Sequence, residues 1–205
     1  MSARGLYAIY DRTTLDDDAL ERVDAVLAGG ACWLQYRDKR AGAPDLRLIE
    51  ALRERTAAHA AALIINDDWQ LARAVAADGV HMGQSDGRIA AARVGLGEHA
   101  IIGVSCSGDI ALARAGVAEG ADHVSFGRFF ESATKPDARI ANLAVLEAAR
   151  DLGVPVVAIG GITTDNAHAV LAAGADLIAV SGGLFQVPDS GAAARSLSTL
   201  CHEHR

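Results

Sequence analysis

The strongest constraint on this chain is a repeat. Short, β-rich apolar runs recur from end to end, at Leu6 to Tyr10, Trp33 to Arg37, Leu63 to Asn66, Val80 to Gly83, Ile101 to Ser105, His123 to Gly127, Pro155 to Gly160 and Leu177 to Ser181, eight in all. Between them lie Ala-, Leu- and Arg-rich segments with helical spacing, at 16–28, 46–61, 69–77, 110–119, 143–152 and 166–173. The joints repeat too: helix ends run into Gly29-Gly30-Ala31, Asp78-Gly79, Gly120-Ala121-Asp122 and Gly174-Ala175-Asp176, where glycine accepts the left-handed cap conformation. Continuous apolar runs such as Val154 to Ile159 need burial on both faces, which parallel sheets provide. An open doubly wound sheet and a closed barrel both satisfy this. The open nucleotide-binding form carries GxGxxG after its first strand, where this chain has Tyr10-Asp11-Arg12-Thr13-Thr14. Eight units match the barrel, so the expected fold is α/β, one (β/α)8 TIM barrel over residues 1–205.

Composition narrows the function classes. A chain of 205 residues that is 51% hydrophobic, with mean hydropathy +0.18, has the material for one well-packed core. A formal charge of −7 offers no general attraction to nucleic acid or anionic membrane, so neither is expected as a partner, and any phosphate-binding cations are local and few. Cys32, Cys106 and Cys201 are odd in number and lack CxxC spacing, which suggests neither a disulfide framework nor a zinc site and fits a reducing cytoplasm. Met1 to Gly5 leads straight into the first run without a long apolar segment, and no later stretch is long enough to span a bilayer, so the chain reads as soluble and unprocessed. No pattern sets an oligomeric state.

In such barrels the site is built at the C-terminal ends of the strands. The second run ends in Gln35-Tyr36-Arg37-Asp38-Lys39, and strand alternation puts Gln35, Arg37 and Lys39 on one face. They serve either an anionic ligand or a surface salt-bridge cluster with Asp38 or Glu50. The third run ends in Asn66-Asp67-Asp68 and the fourth in Gly83-Gln84-Ser85-Asp86. Asp67 and Asp86 with an amide beside them form an oxygen-rich set suited to Mg2+, while Asp68 stands where an N-cap belongs, just before a helix beginning near Trp69. Two carboxylates hold magnesium when a substrate diphosphate completes its shell, with Arg37, Lys39 or Lys135 neutralising the remaining charge. Ser105 ends the fifth run as a ligand contact or a helix cap. Cys106 has no adjacent base and reads as a packed thiol, and His81 and His123 read as structural. Gly160-Gly161 after the seventh run and Ser181-Gly182-Gly183 after the eighth match a phosphate cradle, or are turn glycines only. The loop Ser132-Ala133-Thr134-Lys135 after the sixth run lies between the two anionic sides.

Taken in order and spacing, Gln35-x-Arg37-x-Lys39, Ile65-Asn66-Asp67-Asp68, His81-x-Gly83-Gln84-x-Asp86, Gly103-Val104-Ser105, Ser132-x-Thr134-Lys135, Gly160-Gly161-Ile162 and Val180-Ser181 resemble the thiamine phosphate synthase family over nearly the whole chain. That resemblance implies a Mg2+-dependent transferase joining 4-amino-5-hydroxymethyl-2-methylpyrimidine diphosphate to a thiazole phosphate, releasing pyrophosphate through a carbocation-like displacement. It implies that Gln35, Tyr36, Arg37, Asp38, Lys39, Asn66, Ser105 and Lys135 contact the pyrimidine diphosphate, with Lys135, Arg37 and Ser105 the catalytic set. Asp67 and Asp86 would be the metal ligands, and Ser132, Ala133, Thr134, Gly161, Val180 and Ser181 the thiazole phosphate contacts. The family often has a Gly-Pro start and Thr-Pro-Thr-Lys in the loop where this chain has Gly127-Arg128-Phe129-Phe130-Glu131-Ser132-Ala133-Thr134-Lys135. Arg128 either reinforces phosphate binding or pairs with Glu131.

Two other readings share the scaffold. A thiazole tautomerase has the barrel and the cradle but uses a histidine in the sixth loop, a place held here by Arg128, and tends to lack the aspartates and the lysine. A non-catalytic phosphate-binding barrel would have no use for polar groups at six strand ends, and unpaired buried charge is costly to keep.

Overall fold

The computed structural model describes residues 3–15, 19–131 and 139–204. Eight parallel strands, β1 (Gly5–Asp11), β2 (Ala31–Arg37), β3 (Ala62–Asn66), β4 (Gly79–Met82), β5 (Ile101–Ser105), β6 (His123–Gly127), β7 (Val156–Ile159) and β8 (Leu177–Val180), close in sequence order, with β8 pairing back onto β1. This is the (β/α)8 barrel that the repeat predicts. Around it stand α1 (Ala19–Ala28), α2 (Leu46–Ala58), α3 (Trp69–Ala74), α4 (Ile89–Leu96), α5 (Ile110–Ala118), α6 (Ala144–Ala149), α7 (Ala167–Ala173), the one-turn α8 (Gly182–Phe185) and α9 (Ser190–Glu203).

Alternation divides the strand side chains between two cores. Tyr7, Ile9, Trp33, Ile64, Val157, Leu177 and Ala179 fill the barrel interior, whereas Leu6, Ala8, Tyr10, Leu34, Tyr36, Ile65, Val124 and Phe126 face outward into the layer beneath the helices. Burial on both faces is why the strands read as continuous apolar runs. None of the described helices is long and apolar enough to cross a membrane.

The recurrent aspartate at the joints has a structural job beyond the glycine beside it. The backbone N–H groups of Leu63, Ile102 and Val156 donate to the carboxylates of Asp78, Asp122 and Asp176 at 2.7, 2.7 and 3.0 Å. In return the N–H groups of the same three aspartates donate to the carbonyls of Leu63, Ile102 and Val156 at 2.9, 2.7 and 2.8 Å. Each aspartate thus ties the start of an even-numbered strand to the start of the odd-numbered strand before it, satisfying an N–H at the barrel floor that would otherwise be orphaned. Aspartates also cap helices: Asp45, Asp68, Asp109 and Asp189 accept from the N–H groups of Leu48, Leu71, Ala111 and Ala192. Asp68 is the cap that its position implied.

Element ends depart from the periodicity in two ways. The segments 46–61 and 69–77 stop helical winding at Ala58 and Ala74, because Ala60 and Ala76 take the left-handed conformation (φ 53° and 51°) usually left to glycine. The segment 143–152 divides into α6 and a 3-10 turn at Arg150–Leu152, closed by Gly153 at φ 74°.

Candidate active site

At the C-terminal ends of the strands a cavity of about 540 Å³ opens, lined by the inward side chains at the strand ends. On β2 the alternation read from sequence holds: Gln35, Arg37 and Lys39 line it, while Tyr36 and Asp38 do not. The Tyr36 ring packs in the outer core and its hydroxyl donates to Asp38 (3.3 Å), which also takes the Arg40 guanidinium at 2.6 and 2.9 Å. Tyr36 and Asp38 were expected among the substrate contacts, and odd–even geometry turns both side chains away from the ligand space. Gln35 is buried, and its amide donates to the Tyr7 hydroxyl at 2.6 Å. Burial holds Tyr7 protonated by pushing its phenol well up.

Asn66 and Asp67 from β3, Gly83 and Asp86 after β4, and Ser105 from β5 continue the wall. Asp67 sits at φ 66°, a left-handed conformation sparsely used by non-glycine residues, and its N–H donates to the His81 carbonyl at 2.7 Å. Backbone strain of this kind concentrates at functional positions. The turn aims the Asp67 carboxylate at Asp86 and Lys39, and it pairs with the lysine ammonium. Asp86 is fixed by the Gly83 N–H (2.7 Å) and the Ser85 hydroxyl (3.3 Å). Burial and the neighbouring Asp86 carboxylate push Asp67 up despite Lys39. Burial also pulls Asp86 upward, but the hydrogen bond to Asp67, the Gly83 N–H and Lys39 outweigh it and hold Asp86 low. Asp67 and Asp86 thus share a proton beside one lysine, and a hard dication that displaced that proton would meet two carboxylates, the oxygen donor chemistry it favours. No cluster of three or more His, Cys, Asp or Glu metal ligands exists among the described residues, so this pair is an open, two-carboxylate set and not a closed cage.

The opposite wall carries the residues expected to form a phosphate cradle. Gly160, Gly161, Val180, Ser181, Gly182 and Gly183 all line the cavity. Gly161 lies at φ 65° with no room for a Cβ against the Glu131 carbonyl, and α8 starts at Gly182, where the Leu184 and Phe185 N–H groups donate to the Ser181 carbonyl (2.9 and 3.0 Å) and those of Gly182 and Gly183 precede the first helical acceptor. The Ser181 hydroxyl is buried and has no partner among the described residues. Arg128 and Glu131 line the cavity between the two walls. Ser132, Ala133, Thr134 and Lys135, the expected loop contacts, lie outside the described residues. Cys106 is buried, and burial pushes its thiol up to about 12, which fits a packing role.

One cavity residue escaped the sequence reading, and one polar chain went unread as a connected set. Asp11, at the end of β1, is 1% exposed, lines the cavity and pairs with Arg37. The alternation Tyr7, Ile9, Asp11 was the available signal. From Ser125 and His81 at the cavity floor a chain of polar groups runs down to buried His123, Ser125 Oγ to His81 Nε2 and His81 Nδ1 to His123 Nε2, each at 3.1 Å, with the histidine rings stacked. Its signal was an inward, alternating His123-x-Ser125.

Comparison with known proteins decides the family. A family model described as thiamine monophosphate synthase matches residues 6–184. The chain belongs to that family. Within the thiamine monophosphate synthase family it is 50% identical to the thiamine-phosphate synthase of Methylobacillus flagellatus over 198 residues, 96% of this chain and 95% of that one. It is likewise 50% identical to the thiamine-phosphate synthase of Chromobacterium violaceum over 195 residues, 95% and 94% of the two chains. Among solved structures, thiamine phosphate pyrophosphorylase from Pyrococcus furiosus superposes with a TM-score of 0.87 at 33% identity, over 98% of this chain and 96% of that one. A 3-hexulose-6-phosphate synthase superposes with a TM-score of 0.68 at 19% identity, a likeness of fold alone.

Proposed function

We propose that this chain is a Mg2+-dependent thiamine phosphate synthase of the cytoplasm, joining 4-amino-5-hydroxymethyl-2-methylpyrimidine diphosphate to a thiazole phosphate with release of pyrophosphate. The observation that carries the reading is the pairing of two unlike polar groupings across one cavity: the Asp67–Asp86 carboxylates with Arg37 and Lys39 on one wall, and on the other the Ser181–Gly182–Gly183 turn with a buried hydroxyl that has no partner among the described residues. One substrate with a diphosphate and one with a single phosphate fit that division.

Asp67 and Asp86 would hold Mg2+, which when bound supplies positive charge to the departing diphosphate. Arg37 and Lys39 meet the remaining oxygens, with Lys135 in the same role from its loop. Gln35, held by Tyr7, and the Asn66 amide and Ser105 hydroxyl, which have no side-chain partner among the described residues, hydrogen-bond the pyrimidine and its diphosphate. Departure of diphosphate from an electron-rich pyrimidine methylene leaves cationic character that the ring stabilises, so the reaction asks mainly for leaving-group neutralisation and positioning of the thiazole nitrogen. Accordingly no Ser–His or Cys–His nucleophile is needed, and Cys106 is packed away. Gly161, Val180, Ser181 and the loop residues Ser132 to Thr134 fix the thiazole phosphate, and the free thiols of Cys32, Cys106 and Cys201 suit a reducing compartment. The isomerase reading is disfavoured because Arg128, not histidine, follows β6, whose own His123 lies at the opposite end of the strand.

The test is to incubate the purified protein with both phosphorylated substrates and Mg2+ and assay for thiamine phosphate and pyrophosphate. A folded preparation that yields neither overturns the proposal. Asp67→Asn is expected to lower turnover by orders of magnitude without unfolding the barrel, and wild-type turnover in that variant would remove Asp67 from the metal site.

A further inference from the structure

Asp11 is the most deeply buried carboxylate facing the cavity, and neither the metal set nor the cradle uses it. It ends β1 in register with Arg37 at the end of β2, so the two are cross-strand neighbours on the inner face. Its Oδ2 accepts from Arg37 Nη1 at 2.5 Å, and its Oδ1 accepts from the Thr13 N–H at 3.0 Å and the Thr13 hydroxyl at 2.5 Å. Arg37 Nη1 also reaches the Thr13 hydroxyl at 3.4 Å. The Arg12 N–H donates to the Arg37 carbonyl at 2.8 Å, so the turn after β1 is tied to both the backbone and the side chain of that arginine. With the carboxylate 1% exposed and the guanidinium 15%, neither charge has water enough to compensate it, and the pair is held together by the desolvation that separation would leave unrelieved.

From this geometry we infer that Asp11 is a positioning residue for the diphosphate: it clamps one edge of the Arg37 guanidinium so that the other edge meets the leaving group already oriented. The inference rests on the proposal that Arg37 binds diphosphate. All side-chain hydrogen bonds that Arg37 makes to the described residues use Nη1, so Nε and Nη2 remain for a ligand. A planar fork fixed at one edge loses little rotamer freedom on meeting an anion, whereas an unclamped arginine must be ordered at binding.

The sign of the effect separates this role from plain electrostatics. Deleting a negative charge beside an anion site strengthens anion binding if Asp11 only adds charge, and weakens it if Asp11 positions Arg37. Asp11→Asn is suited to the question, because its remaining oxygen still accepts from Thr13 and preserves the turn, while its amide presents a donor to the guanidinium and breaks the clamp. The probe is inorganic pyrophosphate with Mg2+, titrated calorimetrically into the full chain, for wild type, Asp11→Asn, Arg37→Met and the double variant. Affinity is expected to fall on the order of tenfold or more in each single variant, the scale typical of losing a partner that orients a ligand-binding group, and to fall no further in the double.

Binding by wild type but equal or tighter binding by Asp11→Asn overturns the inference and leaves the diphosphate site standing. Independent, multiplying losses in the double variant also overturn it, since Asp11 would then act other than through Arg37. If Asp11→Asn fails to fold while Arg37→Met folds, Asp11 is structural and the inference falls. Absence of pyrophosphate binding by folded wild type defeats the underlying site assignment, a distinct outcome.

Discussion

Gly103 offers a measurable link between the barrel floor and the strand that carries Ser105. An ideal Cβ built on it lies 2.6 Å from His81 Nδ1 and closer still to Nε2 and Cε1 of the His123 ring, where real Cβ contacts essentially never fall. The strand backbone is paired on both sides, to β4 through His81 and to β6 through His123, so it cannot recoil as a loop would. Gly103→Ala must therefore push the two rings apart. Inserting a methyl into a packed interior costs about 1–3 kcal/mol, and loss of the hydrogen bond between the imidazoles adds about 1 kcal/mol. The total of about 2–4 kcal/mol corresponds, for a domain of this size, to a fall in Tm of about 5–15 °C. Calorimetric melts of wild type, Gly103→Ala, His123→Ala and the double variant form the assay. With the His123 ring removed the two nearest clashes are gone and only the 2.6 Å approach to His81 Nδ1 remains, so Gly103→Ala should cost clearly less in the His123→Ala background, a coupling of at least about 1 kcal/mol. A wild-type Tm for Gly103→Ala, or an equal penalty in both backgrounds, would refute the reasoning that these rings occupy the space the missing side chain leaves.

Other perturbations test other parts. Ser181→Ala should leave the unliganded protein as stable or about 1 kcal/mol more stable, because the buried hydroxyl has no partner among the described residues, while raising KM for the thiazole phosphate by about tenfold; a destabilised variant with unchanged KM would contradict this. Burial and the adjacent His81 hold the His123 imidazole well below its usual range. Folded His123 stays neutral where the unfolded chain protonates near pH 6.5, so stability is fully present above that pH and declines below it by at most about 1.4 kcal/mol per unit. Denaturant midpoints between pH 7.5 and 5 measure the slope, and His123→Gln showing the wild-type slope would assign it elsewhere. Asp176→Ala strips the Val156 N–H of its acceptor and should cost about 1–3 kcal/mol by chemical denaturation, whereas Arg4→Ala, which removes only the 3.0 Å ion pair of an exposed side chain from the same carboxylate, should cost under about 1 kcal/mol.

The lining of the cavity was readable wherever strand alternation governed it. Gln35, Arg37, Lys39, Asn66, Asp67, Asp86 and Ser105 stand at strand ends, and the cavity gathers them. Tyr36 and Asp38 came into the expected set through resemblance to the family, and the same alternation that selects Arg37 sends their side chains outward. Asp11 went unread because a carboxylate after one apolar run looks like any turn aspartate until Arg37 of the next strand is set beside it. The joint aspartates were visible as a pattern, but their partners are the first or second residues of neighbouring strands, 15 or 20 positions earlier in the chain.

What the sequence determined by itself follows from local rules: eight alternating units, strands buried on both faces, the Asp68 cap, and the face of β2 that carries its cations, all consequences of side-chain period and backbone hydrogen bonding. Tertiary structure alone decided what is near what. Barrel closure brings β1 beside β8, so the cradle stands across one cavity from the carboxylate pair, and it brings β4 and β6 against β5, so two histidines meet over a glycine. Contacts between residues far apart in the chain depend on strand register and barrel curvature, which no single segment encodes.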